Sequence, residues 1–214
     1  MDDNGGGTGP RRSGLVQERS RRTRQQLVNA AVQLWTERGF ERGIEETTVD
    51  EIVQAAGVTK GTFYFHFAHK EDILLELGYG TADALFEEAE RGARAGRSGV
   101  ALLQQLLASL AKRAEAVPPA AVARAIAQFR SVGAPPPAAG RPDIHDGLVV
   151  ALDLARKQGE LPAGTDTDEL GQVLSALAMD SLWRWAAGDR RKLRPVLRKR
   201  ADLVLAGARS EAGR

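Results

Sequence analysis

The chain has 214 residues, 27% of them charged, with 30 Lys and Arg against 28 Asp and Glu for a formal net charge of +2. That balance singles out no partner by bulk charge, and the lack of cysteine excludes disulfides and thiolate metal sites. The length accommodates a small N-terminal module and one larger domain. No run is apolar and long enough to span a bilayer, and the opening MDDNGGGTGP lacks a signal peptide's apolar core, so a cytoplasmic protein is expected.

Residues 1–20 are Gly-rich and polar and are expected to form a disordered basic arm. Arg11, Arg12 and Arg19, then Arg21, Arg22 and Arg24, are opposed only by Glu18. Arginines leading into a nucleic-acid module can track phosphates, and for Arg11 and Arg12 a solvated tail is the alternative. Thr23 and Gln26 have capping-box spacing, and Leu27, Ala30, Ala31, Leu34 and Trp35 then recur as one buried helical stripe. Gly39 closes this helix and Phe40 folds back on it. Glu41–Glu46 reads as a surface linker, turned away from phosphates by Glu45 and Glu46.

Residues 48–67, TVDEIVQAAGVTKGTFYFHF, read as two short helices joined by a tight turn. Thr48 and Glu51 open the first with S/T-x-x-E spacing, and Val49, Ile52, Val53 and Ala56 give its apolar stripe. Gly57 supplies a positive-φ stop, Val58 plugs the turn and Thr59 caps the second helix. That helix keeps Phe63 and Phe67 inward and leaves Lys60, Thr62, Tyr64, Phe65 and His66 outside. Such an outward face suits a recognition helix: Lys60 and Thr62 at its N-terminal end, Gly61 kept slim for close approach, Tyr64 for a phosphate oxygen and Phe65 for thymine methyls. A plain core hairpin would leave Tyr64, Phe65 and His66 unexplained.

The pieces TRQQLVNAAVQLWTERGF and TTVDEIVQAAGVTKGTFYFHFAHKEDIL, in this order and spacing, resemble the DNA-binding domain of the TetR family of bacterial transcriptional regulators. The resemblance implies an all-α chain. It would have a three-helix helix-turn-helix domain over residues 21–69 and a C-terminal helical ligand-binding and dimerisation domain over 70–214. It also implies DNA contacts, mostly to phosphates, from Thr48, Thr59, Lys60, Thr62, Tyr64, His66 and Lys70, with operator preference at Phe65. The Glu41–Glu46 linker is about four residues longer than is usual in the family.

Lys70 opens a fourth helix that runs through Ile73, Leu74, Leu77, Leu85 and Phe86 to about Arg91 and links the two domains. His66 and His69 lie near one another, but with no Cys or third His nearby no metal site is expected, and no cofactor. Leu102, Leu103, Leu106, Leu107 and Leu110 form a thick apolar face, and a short helix carries Val122, Ile126 and Phe129. Residues 131–142, SVGAPPPAAGRP, read as a loop because successive prolines cannot continue a helix. A helix over 144–158, the turn GELPAGTD, a long helix opened by Asp166 and Glu169, and a last helix with Pro195 in its first turn complete the chain.

The last two helices are apolar on more sides than one surface hairpin needs, so a two-plus-two bundle with a second copy is expected through Leu174, Leu182, Trp185, Leu197 and Val204. Asp180 is either a buried hydrogen-bonding group or a pocket residue. The basic run Arg190–Arg200 reads as a solvated face. Candidate ligand-pocket residues are Phe86, Leu103, Leu107, Phe129, His145, Met179 and Trp183, for each of which ordinary core is the competing role. No Ser/His/Asp, metal or phosphate-loop pattern suggests an enzyme. The expected protein is a homodimeric repressor that binds a palindromic, double-stranded operator and is released by a small apolar or amphipathic ligand. A DNA-binding regulator without such an effector is the alternative.

Overall fold

The computed structural model describes residues 10–131 and 141–211. Among them lie ten helices: α1 Pro10–Glu37, α2 Phe40–Glu46, α3 Val49–Ala56, α4 Lys60–His66, α5 Asp72–Arg94, α6 Gly99–Glu115, α7 Pro119–Ser131, α8 Ile144–Lys157, α9 Thr167–Ala186 and α10 Leu193–Glu211. The chain divides into two compact units between Ile73 and Leu74.

In the first unit, Leu27, Ala31 and Trp35 recur every fourth residue on α1 and are wholly buried. The Trp35 ring meets Phe40 edge-on at 5.7 Å. Residues 41–46, expected as a surface linker, instead form α2. Phe40 and Ile44 stand one turn apart and are both buried, which gives the segment an apolar face worth docking. Gly43 permits the docking, since a side-chain carbon there would lie 2.5 Å from the Trp35 carbonyl oxygen. Of the disordered arm expected over residues 1–20, residues 10–20 need correction: they lie in α1, which begins at Pro10, a residue suited to a first helical turn. Residues 1–9 lie outside the described part, as do 132–140, most of the expected proline loop.

α3 opens with the reciprocal cap expected from its sequence. Thr48 Oγ1 accepts from the Glu51 N–H at 3.3 Å, and the Glu51 carboxylate accepts from the Thr48 N–H at 2.8 Å. Arg38 donates to both Glu51 carboxylate oxygens and to Thr47 Oγ1. Lys70 Nζ donates to the Glu45 and Thr47 carbonyls, each at 2.9 Å, a cation at the spent end of α2. Gly57, at φ +67°, ends α3 with its N–H on the Gln54 and Val53 carbonyls. Thr59 Oγ1 accepts from the Thr62 N–H and starts α4.

In the second unit, α6 is the central helix, packed on α8, α10, α7 and α9. Leu102, Leu103, Leu106, Leu107 and Leu110 are all buried in it. Its first turn is capped from two sides: Ser98 Oγ accepts from Ala101, while Gln158 and Glu160, in the turn after α8, accept from the N–H groups of Gly99 and Val100. The crossing of α6 with α8 is so close that a side-chain carbon at Gly99 would lie 2.7 Å from the Ala151 carbonyl oxygen and nearer still to the Ala155 backbone. Asp180 proves to be structural, gripped by Arg184 and Arg200.

Backbone cannot move aside as a flexible side chain can. Gly99→Ala should therefore lower stability by about 1–3 kcal/mol. Gly80→Ala, at an α5 position with nothing within 4 Å of the added carbon, should leave stability unchanged or raise it by about 0.5–1 kcal/mol. Thermal unfolding of the two variants measures both. A second expectation concerns acid. Arg38, and then the Thr48 N–H, hold the Glu51 carboxyl down from the usual 4.5 to about 2. A depressed carboxyl contributes stability that is fully present above about 4.5 and lost as pH falls towards 2. Across that window wild type should lose stability more steeply than Glu51→Gln in denaturant titrations, modestly, because solvent screens this half-exposed pair.

Candidate nucleic-acid interface and effector cavity

The seven residues of α4 face two ways. Phe63 is fully buried, while Phe65 is 79% and Tyr64 54% exposed. Lys60 and Gly61 are exposed as well, and Thr62 and His66 are half-buried. Gly61 has no positive φ, and the nearest atom to a side-chain carbon built there would be the Thr59 hydroxyl at 3.8 Å. Glycine within a helix costs about 1 kcal/mol relative to alanine. Among the described residues nothing crowds this position, so packing does not require glycine at residue 61.

The other expected DNA-contact residues are placed more variously. Lys60 Nζ lies 3.0 Å from the Asp50 carboxylate, which raises its pKa through the hydrogen bond and the opposite charge. The Thr59 and Thr62 hydroxyls bond to one another at 2.8 Å. Thr48 is exposed but its hydroxyl is engaged in the α3 cap. His66 is edge-on to Phe65. Arg21 and Arg22 are exposed on α1, whereas Arg24 is half-buried with its guanidinium 5.1 Å from the Phe67 ring centroid. Lys70 is half-buried and spends its ammonium on the α2 carbonyls. Asp50 as a partner for Lys60 was not anticipated, although ten residues across a helix–turn–helix is the spacing that brings the two together.

The second unit holds a mainly apolar cavity of about 400 Å³, bounded by α5 to α9. Of the expected pocket residues, Phe129, His145 and Met179 line it. Leu103 and Leu107 do not, being 1% and 3% exposed within the core. The cavity lies at the C-terminal end of α6, against Leu110, Arg113 and Ala114, and not at its middle. Phe86 lies on α5 where α8 presses close through Gly147, and Trp183 is 44% exposed. Leu77, Tyr79, Ile126 and Leu182 line the cavity unforeseen. Its polar members are few. His145 Nε2 rests 3.2 Å from Asp168, and Asp143 caps α8 reciprocally with Asp146. Donor atoms of Asp143, His145 and Asp146 lie within 4.8 Å of one another, but the helix N-terminus opposes a cation there.

Three of the expected dimer contacts need correction. Leu174, Leu182 and Leu197 are 2%, 5% and 2% exposed and belong to the protomer's own core. Trp185 and Val204 are half-buried against that core. The outward stripe is offset from them: among the described residues of this unit, the exposed large apolar side chains are Val173, Trp183 and Leu203, all on α9 and α10. No described helix is long and apolar enough to cross a membrane.

The family described as "Bacterial regulatory proteins, tetR family" matches residues 27–77. Similar full-length proteins include the HTH-type transcriptional repressor BepR of Brucella suis, 29% identical over 87% of this chain and 87% of that protein. Another is the probable HTH-type transcriptional regulator ArpR of Pseudomonas putida, 28% identical over 79% and 83%. Among solved structures, the TetR-family repressor FadR of Thermus thermophilus, determined with lauroyl-CoA, superposes with a TM-score of 0.63 at 31% identity, covering 86% of this chain and 94% of that one. With an exposed recognition helix in the first unit and an all-helical second unit, the chain belongs to the TetR family of bacterial transcriptional regulators.

Proposed function

We propose that this regulator is a homodimeric repressor that holds an inverted-repeat operator and releases it when a small, largely apolar molecule enters the cavity of the second unit. The observation that carries the DNA half is the outward face of Gly61, Tyr64 and Phe65, with Tyr64 54% and Phe65 79% exposed. On this reading Lys60, Tyr64, Arg21 and Arg22 meet phosphates, and Thr62 and Phe65 read bases from the major groove. Thr48, Thr59 and Lys70 serve DNA binding chiefly by fixing α3 and α4, since their polar groups are already committed. Arg24 and His66 set the packing around Phe67 and Phe65.

The effector half is supported by the roughly 400 Å³ cavity and by the similar repressor that holds lauroyl-CoA. A ligand shifts the equilibrium only by binding the released conformation more tightly than the DNA-bound one. Dimerisation is supported by the apolar stripe on α9 and α10 and by an adjoining groove of about 590 Å³ lined by Val173, Val204 and Gly207. Two copies about a two-fold axis would set their recognition helices roughly 34–36 Å apart or a multiple of that.

Operators can be recovered by selecting genomic fragments on the purified protein. Lys60→Ala should then weaken binding on all of them alike and reduce the log–log salt slope by about one. Asp50→Asn should tighten binding, because Lys60 no longer has to leave a carboxylate for a phosphate. Unchanged affinity and slope in both variants, measured by anisotropy, would remove α4 from the DNA. Leu203→Glu places a charge where a partner would cover it, at a cost of several kcal/mol if unpaired. Light scattering should show folded monomers with operator binding largely lost; a variant that stays dimeric would move the interface elsewhere.

A further inference from the structure

Glu76, Tyr79 and Asp83 are spaced i, i+3 and i+7, which sets them on one face of α5. All three converge on the guanidinium of Arg141, just ahead of α8. Arg141 donates to both Glu76 carboxylate oxygens at 3.0 Å, and its Nη2 also donates to Asp83. The guanidinium carbon lies 5.1 Å from the Tyr79 ring centroid. Burial works against the charge, yet the hydrogen bonds to Glu76 and then Asp83 hold the guanidinium's pKa above its ordinary value. Glu76 is 8% exposed, and Arg141 and Asp83 are half-buried, so the cluster is partly withdrawn from solvent.

None of the three charged groups lines the cavity, but their neighbours do. Tyr79 packs edge-on against Phe129 at 5.3 Å, and a side-chain carbon at Gly78 would overlap the Phe129 ring. Gly78, Tyr79 and Phe129 form one part of the cavity wall, and Ile144 and His145 at the start of α8 form another. Arg141 therefore ties together the two helices between which a ligand would sit. A forked, bidentate grip on carboxylates is directional and tolerates little displacement before its hydrogen bonds break. A connection of that kind passes between discrete arrangements and does not stretch smoothly.

We propose that Arg141 is the positioning residue that converts occupancy of the cavity into a displacement of α5, a role that rests on the effector reading given above. An apolar guest pressing on Phe129 and Tyr79 shifts the ring on which the guanidinium lies. The fork then carries that shift to Glu76 and Asp83, two turns of α5 at once. On this view the apolar wall determines which guests enter, and the ion cluster determines whether their entry is felt.

N-Phenyl-1-naphthylamine, an apolar dye that brightens on leaving water, serves as the probe with the full-length chain. In wild type the dye should bind and alter amide hydrogen exchange across residues 74–86. Arg141→Gln should keep dye affinity within about threefold, a small change in free energy, and lose the exchange response. The combined variant Glu76→Gln, Asp83→Asn, Arg141→Gln leaves no unpaired buried charge, so it guards against misfolding, and it should show the same loss. A folded variant that responds like wild type overturns the proposal. So does a folded combined variant in which dye binding itself disappears, since the cluster would then merely build the cavity. Failure of the dye to bind wild type would overturn the cavity reading, and this proposal with it.

Discussion

The helix-turn-helix depends on how α3 begins. Glu51 accepts from the Thr48 N–H and from Arg38, Arg38 reaches on to Thr47, and Lys70 holds the carbonyls of Glu45 and Thr47. Arg38, just after α1, and Lys70, just before α5, thus converge on residues 45–51. Helices of seven or eight residues are not stable alone in water, so the order of α3 and α4 has to be supplied from outside them. The polar knot at the start of α3 supplies it from one end, and burial of Phe63 and Phe67 supplies it from the other.

The second unit answers a different problem, which is to pack six helices tightly and still leave a hollow. Gly99 and Gly147 let α8 press on α6 and α5, so that leucines of α6 fill the space between them. Towards the C-terminal end of α6 the facing residues become small, with Ala114, Ala121 and Ala125, and the space stays open.

Caps and stripes were legible in the sequence because they depend on residues a turn apart. Thr48 with Glu51, Gly57, Thr59, and the alternation of Phe63 and Phe65 all stand as read. What failed was mostly what depends on a partner elsewhere in the chain; the local exception is the Thr23–Gln26 spacing, which lies inside α1 and does not start a helix. Glu41–Glu46 reads as a polar linker, yet burial of Phe40 and Ile44, with Gly43 set against the Trp35 backbone, makes a helix there worthwhile. Leu174, Leu182 and Leu197 looked available to a second copy because their burial comes from α6 and α8, and the true outward stripe is shifted round the same helices. Lys70, expected at a phosphate, bonds carbonyls more than twenty residues back, and the carboxylates that hold Arg141 lie 58 and 65 residues away.

Gly61 and Phe65 have a consequence for how such a regulator changes over generations. Neither is tightly enclosed by the fold: a side-chain carbon added at Gly61 would meet nothing closer than 3.8 Å, and Phe65 is 79% exposed. Substitutions there leave the core and the α3 cap untouched, so on the function proposed above a lineage can try new side chains against DNA without first losing the folded protein. Acquiring a different binding sequence is then separated from the risk of unfolding, and duplicated copies can diverge in the genes they control while sharing one scaffold.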